Sequence, residues 1–352
     1  MGDLAGARAV LEALGEIVCL TFVKGLDPAA ALLRMGGYAD SLRVREAAEI
    51  GEVMDSFEGG YPRMAAALDL GAWSLVLEPD GFSGADDSLL RVVSRGTETV
   101  SVLRHDYASA AFAYAVDGEI VAGFEPGRPE APAHLQPLLA EVGLRVPSGE
   151  GDDTWTDAVA RALLLAQRIT GVTVPPDPFE ADLLSAQIEP WFVVPASPGD
   201  LLYGSDPPAG SLVAAVEAAS PDRQRAVAVA EVRRQATALG LADTPGLADV
   251  LRAAATGTAG PISADSPLGT HVRTWLTATT RAGDSLNSNR HAMTAAERTH
   301  AYALGWFTAA LRGVLNPDPQ KAALAALRPL TSNIAALTDP AVRAAVIHAL
   351  TT

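Results

Sequence analysis

Between Pro195 and Gly210 the chain reads Pro-Ala-Ser-Pro-Gly-Asp-Leu-Leu-Tyr-Gly-Ser-Asp-Pro-Pro-Ala-Gly, with four prolines and three glycines. Such a stretch lacks backbone donors and regular periodicity, so neither a helix nor a strand is expected to run through it. It divides the chain into two expected domains, 1–205 and 206–352, which also suits a chain of 352 residues at ~100–200 residues per domain. Charge divides there too. Residues 1–210 carry 32 acidic and 13 basic side chains, a net of −19, while residues 211–352 carry 10 and 13, a net of +3.

The first domain reads as α+β with a mainly antiparallel sheet. Strand signals run over Glu16 to Val23, Trp73 to Glu78, Thr97 to Arg104, Ala111 to Val116 and Glu119 to Phe124. Asp117-Gly118 between the last two supplies the positive φ angles of a two-residue type I′ hairpin. A regular ladder from that turn sets Val116 opposite Glu119 and Tyr114 opposite Val121, with Phe112, Tyr114, Val116 and Val121 on one side. Ala111, Ala113, Ala115, Ile120, Ala122 and Phe124 then form a low apolar face for a helix to cover. Helices are expected over Gly6–Leu14, Pro28–Met35, Arg43–Met54, Asp86–Ser94, His134–Glu141 and Thr154–Thr170, the last with a stripe of Trp155, Val159, Ala162, Leu163, Ala166 and Ile169 and a stop at Gly171.

The second domain reads as all-α. Ser220-Pro221, Thr244-Pro245, Ser266-Pro267 and Asp339-Pro340 each pair an N-cap side chain with proline at the first helical position, where the missing N–H costs nothing. A further helix is expected from Thr294 to the stop at Asn316-Pro317-Asp318-Pro319.

Composition excludes several function classes. An apolar content of 49% and a mean hydropathy of +0.17 allow a large core. A net charge of −16, with Lys24 and Lys321 the only lysines, argues against nucleic-acid or anionic-membrane binding, because both need a basic face. Cys19 is the single cysteine, which excludes an intramolecular disulfide and a cysteine zinc site. No run reaches the ~18–20 uncharged apolar residues of a membrane helix. Glu12 and Glu16 interrupt the apolar run from Val10 to Val23, so no signal peptide is expected, and Gly6 stands where myristoylation needs Ser or Thr. The expected location is the cytoplasm.

Cys19-Leu-Thr-Phe-Val-Lys-Gly-Leu-Asp-Pro28, with the Ala-Ala-Ala-Leu-Leu-Arg-Met-Gly-Gly that follows, resembles the opening of an actinobacterial family built on a domain of unknown function. Gly71 to Gly84 is similar to that family's tryptophan strand and its Glu-Pro-x-Gly-(Phe or Trp) turn. Thr97–Leu103, the Phe-x-Tyr-x-Val-Asp-Gly hairpin and Phe124-Glu125-Pro126 follow in the family's order, and Ala166–Val174 echoes a family helix ending in a Thr-Gly-Val turn. The resemblance covers about residues 10–126 and implies a fold neighbour, with no activity, catalytic residue or cofactor attached. The second domain resembles no family.

Complete catalytic templates are missing. Gly81-Phe82-Ser83-Gly84 lacks the spacing of a nucleophile elbow, and no phosphate-binding glycine loop is present. Arg104-His105-Asp106, at a strand end, offers an acid/base pair or an anion-binding corner, although a polar hairpin loop explains it as well. Glu78-Pro79 and Glu125-Pro126 each end an apolar strand; were those strands neighbours, the carboxylates would share a proton, a metal or a basic partner, and otherwise they are strand exits closed by proline. Glu297 and His300 have the i, i+3 spacing of carboxylate metal bundles, but Thr294-Ala-Ala-Glu297 also reads as a capping box, leaving His300 as a core or interface residue in a stripe with Leu304, Phe307, Leu311 and Val314. Arg223, Arg225, Arg233, Arg234, Arg273, Arg281, Arg290 and Arg298 are candidates for a basic face that docks on acidic surface.

The expectation is a non-catalytic cytoplasmic interaction protein, immunity-, antitoxin- or regulator-like. It would bind a protein with a basic surface, or a second copy of itself, without cofactor, nucleic acid or membrane. A second reading is a small-molecule enzyme or ligand binder with a site at an interdomain cleft, using Glu78, Arg104, His105 and Glu125. A third is a metal-dependent helical domain using Glu297 and His300.

Overall fold

The structure, a computed structural model, describes residues 2–146, 157–204, 207–286 and 293–352. Thr154 and Trp155 of one expected helix, and Arg290 of the expected basic face, lie outside them. The chain forms two compact units: Met1–Asp55 with Pro62–Val193, and Ser56–Tyr61 with Val194–Thr352. Drawn along these units, the first holds 29 acidic and 13 basic side chains and the second 13 of each. The entire net charge of −16 therefore belongs to the first unit.

The first unit is α+β. Its strands are β1 (Ile17–Lys24), β2 (Arg43–Arg45), β3 (Met64–Asp69), β4 (Trp73–Pro79), β5 (Glu98–His105), β6 (Ala111–Val116), β7 (Glu119–Phe124) and β8 (Leu183–Gln187), in one antiparallel sheet of order β2-β8-β3-β4-β1-β5-β6-β7. Its helices are α1 (Leu4–Leu14), α2 (Pro28–Arg34), α3 (Ala47–Met54), α4 (Asp87–Val93), α5 (Gln136–Val142) and α6 (Ala158–Thr170). Strand alternation sends Val18, Leu20 and Phe22 of β1, Leu75 and Leu77 of β4, and Val100 and Val102 of β5 into a core completed by Val10 and Leu11 of α1, Leu139 of α5 and Leu163 of α6. The opposite face is covered by α2 and α4.

Three strands went unforeseen. Met-Ala-Ala-Ala-Leu-Asp of β3 and Leu-Leu-Ser-Ala-Gln of β8 lack β-branched residues, and they are strands because each pairs with neighbours in the sheet. Arg43–Arg45, expected at the start of a helix, pairs with β8, and the helix begins only at Ala47.

The hairpin corrects the expected ladder. Val116 does stand opposite Glu119, but a β-bulge between Tyr114 and Ala115 sets Tyr114 opposite Ala122 rather than Val121. The extra residue turns Ala122 and Phe124 over to the main core, where Phe124 stacks on Phe112 at 4.8 Å. Ala113, Ala115 and Ile120 keep the other side, under Leu90 of α4.

The second unit is helical: α7 (Pro207–Ala218), α8 (Pro221–Ala238), α9 (Leu247–Ala255), α10 (Pro267–Asp284), α11 (Ala295–Val314), α12 (Pro319–Leu327) and α13 (Pro340–Thr351). Ser220, Ser266 and Asp339 sit at N-caps with proline next, as expected. Thr244-Pro245 instead forms a turn ahead of α9, whose N-cap is Gly246 at φ 83°. The hexapeptide Ser56–Tyr61 packs on α10: Arg281 donates to the carbonyls of Phe57 at 2.9 Å and Glu58 at 2.5 Å and lies over the Phe57 ring. Among the described residues no helix is long and apolar enough to cross a membrane.

Candidate functional site

The three central strands carry small polar residues where apolar ones are expected. On the face turned from the main core, β1 bears Cys19 and Thr21; Glu78 of β4 stands opposite Cys19, and Ser101 and Thr99 of β5 stand opposite Thr21 and Val23. All five are at most 1% exposed. Cys19 Sγ lies 3.3 Å from Ser101 Oγ and 3.8 Å from Thr21 Oγ1.

Glu78 organises the loop that follows it. Its Oε2 accepts the Ser83 N–H at 3.0 Å and its Oε1 accepts the Gly84 N–H at 2.7 Å, so the carboxyl ties down the turn Ser83–Ala85. Gly84 is required at that approach, because a Cβ there would stand 2.0 Å from Thr21 Oγ1 and 2.8 Å from Glu78 Oε1. Burial pushes the Glu78 carboxyl above the usual carboxylate range, and the two N–H groups oppose the shift without cancelling it. Burial, and then the neighbouring Glu78, push the Cys19 thiol up as well. A thiol held protonated and dry is not a nucleophile, since the thiolate is the reacting species. Cys19, Thr21, Ser101 and Glu78 thus form a buried hydrogen-bonding layer whose carboxyl acts as a loop clamp, while the Thr99 hydroxyl is buried beside them without a hydrogen-bond partner among the described residues.

Above it lies an exposed rim. The Asp80 N–H donates to Ile17 O and the Asp106 N–H to Glu16 O, each at 3.1 Å, so the loops after β4 and β5 are tied to consecutive residues at the start of β1. Phe82 on one loop is 61% exposed and Tyr107 on the other 73%. The Tyr107 hydroxyl donates to Glu16 Oε2 at 2.5 Å, a bond that pushes the phenol up. Arg104 forks onto Asp106 at 2.9 and 2.7 Å and donates to Leu11 O at 2.6 Å, which holds the Asp106 carboxyl below the usual range.

The residues singled out in the sequence do not converge. Glu78 faces the buried row, whereas Arg104 stands opposite Val18 on the other face of the sheet. His105 accepts the Tyr107 N–H at its Nδ1, 3.2 Å away, and so closes its own turn. Glu125 is exposed at the end of the edge strand β7, four strand positions from β4, or roughly 19 Å at the spacing of paired strands. The strands of Glu78 and Glu125 are not neighbours. In the second unit Glu297 completes its capping box with Thr294, and His300 is exposed rather than part of the buried stripe, which starts at Leu304. Among the described residues no three His, Cys, Asp or Glu side chains come together as a metal site.

Several arginines expected on a basic face serve their own unit. Arg225 donates to Asn316 O and Pro317 O, Arg234 pairs with buried Glu231, and Arg298 donates to Met293 O.

Sequence reading missed Cys19, Thr21, Thr99 and Ser101 as a set. Part of the signal was there: Cys-Leu-Thr in β1 and Thr-Val-Ser in β5 alternate polar and apolar residues at the period of a strand, whereas in β4 the apolar run Leu75-Val76-Leu77 breaks the alternation before Glu78.

The model of a family of unknown function, DUF6461, matches residues 7–186. The chain belongs to this family. No curated protein and no solved structure matches it. The DUF6461 stretch runs from within α1 to within β8, so it takes in the buried row, the clamp and the rim, and extends well past Glu125-Pro126.

Proposed function

We propose that this member of DUF6461 is a non-catalytic, cytoplasmic interaction protein, immunity-, antitoxin- or regulator-like, whose acidic first unit binds a protein with a basic surface. The observation that carries the reading is the charge division: the first unit holds the whole net charge of −16 and the second is neutral. Opposite charge steers and selects partners. The fates of the polar candidates support the same reading, since Glu78 clamps a loop, Arg104 pairs with Asp106 and Glu297 caps a helix. The resemblance of Cys19–Pro28 to an actinobacterial family supports an actinobacterial source.

The test is purification of the full chain with its native partners at low ionic strength, alongside a screen for turnover of small metabolites. The expected result is a basic partner that salt releases, because added ions screen exposed charges. A chain that retains no partner and consumes a metabolite overturns the proposal.

A further inference from the structure

We propose that the rim at the start of β1 is an arginine-recognition surface, in which Phe82 and Tyr107 present aromatic faces and Glu16 and Asp80 the carboxylates. The occupant is a segment of a partner protein carrying arginine. This rests on the reading of the first unit as a partner-binding module and names the part of its surface that does the binding.

Three observations carry it. First, Phe82 and Tyr107 are left largely in solvent, on loops anchored to adjacent residues of β1, Ile17 and Glu16. Because β4 and β5 are the two neighbours of β1, the loop roots stand two strand spacings apart, about 10 Å, a distance that about three residues of extended peptide cover. Second, both loops are held in place before any partner arrives. The buried Glu78 carboxyl ties down the first through Ser83 and Gly84, and the Arg104–Asp106 fork ties down the second. An exposed aromatic on a loop already ordered binds without the entropic cost of ordering it. Third, the chemistry at the rim is selective. Glu16 and Asp80 are exposed carboxylates, and the bond from the Tyr107 hydroxyl to Glu16 fixes ring and carboxylate together. A planar guanidinium stacks on a ring face and forks onto a carboxylate at the same time, which a lysine ammonium does not.

The test is selection of a phage-displayed library of random dodecapeptides on the full-length protein at low salt. Enriched peptides are synthesised with a fluorophore and titrated by anisotropy against wild type, Phe82→Ala, Tyr107→Ala, and a double control, Asp177→Asn with Glu180→Gln. Those control carboxylates are exposed and precede β8; β8 runs parallel to β4, each being antiparallel to β3, so they lie at the other end of the sheet from Glu78. The expected result is enrichment of arginine, a loss of affinity of roughly tenfold for each aromatic variant, no change for the control, and weaker binding when arginine is replaced by lysine in the peptide. Unchanged melting temperatures of the aromatic variants show that the loss is not unfolding.

Arginine peptides that bind both aromatic variants as tightly as wild type, and lose affinity for the control, overturn the rim while leaving partner binding by the acidic unit intact. Failure to enrich basic peptides at all overturns both. Concentration-dependent self-association abolished by Phe82→Ala replaces the partner with a second copy and overturns the proposal as stated.

Discussion

Glu78 is a carboxyl that the fold keeps dry and surrounds with donors, and the two effects act in opposite directions on its proton. Burial dominates and raises its pKa in the folded chain. The folded state therefore holds a proton that the unfolded chain has released. Its contribution to stability is fully present below the unfolded value, near the ordinary 4.5, and is lost as pH rises through the folded value. Thermal melts of wild type and Glu78→Gln across that range should diverge, with wild type losing stability as pH rises and the amide variant losing less. Parallel curves would show that the Glu78 carboxyl has the same proton affinity in the folded and the unfolded chain. Glu78→Ala, which leaves the Ser83 and Gly84 N–H groups without their acceptor, should cost about 1–3 kcal/mol per orphaned donor, read by denaturant unfolding at a single acid pH. Tyr114 shows the same dominance of burial: its phenol is pushed up to about 12, chiefly by burial and further by its bond to Glu98.

At the scale of elements, the hairpin shows how one residue decides which face a strand buries. Val121 is the extra residue of the bulge, and without it Ile120 and Ala122 would follow each other in a regular ladder opposite Ala115 and Tyr114. Deletion of Val121 should therefore keep Phe124 stacked on Phe112 and leave stability near wild type. Deletion of Gly123 retains the bulge and turns Phe124 off the core, and should cost about 3–5 kcal/mol, the scale of emptying a buried phenylalanine site. Denaturant unfolding of the two deletions decides it, and equal losses would refute the role given to the bulge. The capping box of α11 is a smaller, local device. Glu297→Ala removes the acceptor of the Thr294 N–H and should lower stability by about 1 kcal/mol, measurable as a shift in the melting temperature. Both the hairpin turn and the capping box were legible in the sequence, because each depends on residues within a few positions. The bulge was not, because it depends on which face the distant core residues occupy.

For the whole molecule, the two units differ in what their charges do. Exposed acids dominate the first, whereas arginines of the second turn inward to their own unit's carbonyls and carboxylates. Arg281 is the clearest case, holding the hexapeptide Ser56–Tyr61 by two carbonyls and a ring. Gly60 fits there only without a side chain, since a Cβ would stand 2.5 Å from Thr277 Cγ2. Arg281→Ala or Gly60→Val in the full chain should expose residues 56–61 to a protease such as chymotrypsin, which cuts after Phe57 (the bond after Tyr61 is protected by Pro62), several-fold faster than in wild type. Equal cleavage rates would show that these contacts do not hold the segment.

The sequence by itself determined what is local: three of the four proline-marked helix starts, the Asp-Gly hairpin, the α+β character of one half and the helical character of the other, and the incompleteness of the nucleophile-elbow and phosphate-loop templates. It could not determine what depends on strand order. Glu78 and Glu125 looked alike, each before a proline, until the sheet set one in the centre and the other on the edge. Met64–Asp69 became a strand because its neighbours supply ladder partners that its own composition does not favour. The buried row of Cys19, Thr21, Glu78 and Ser101 exists only because three strands far apart in sequence lie side by side. A period of two tells which residues of a strand share a face, but only the tertiary structure decides which strands share it with them and whether that face meets water.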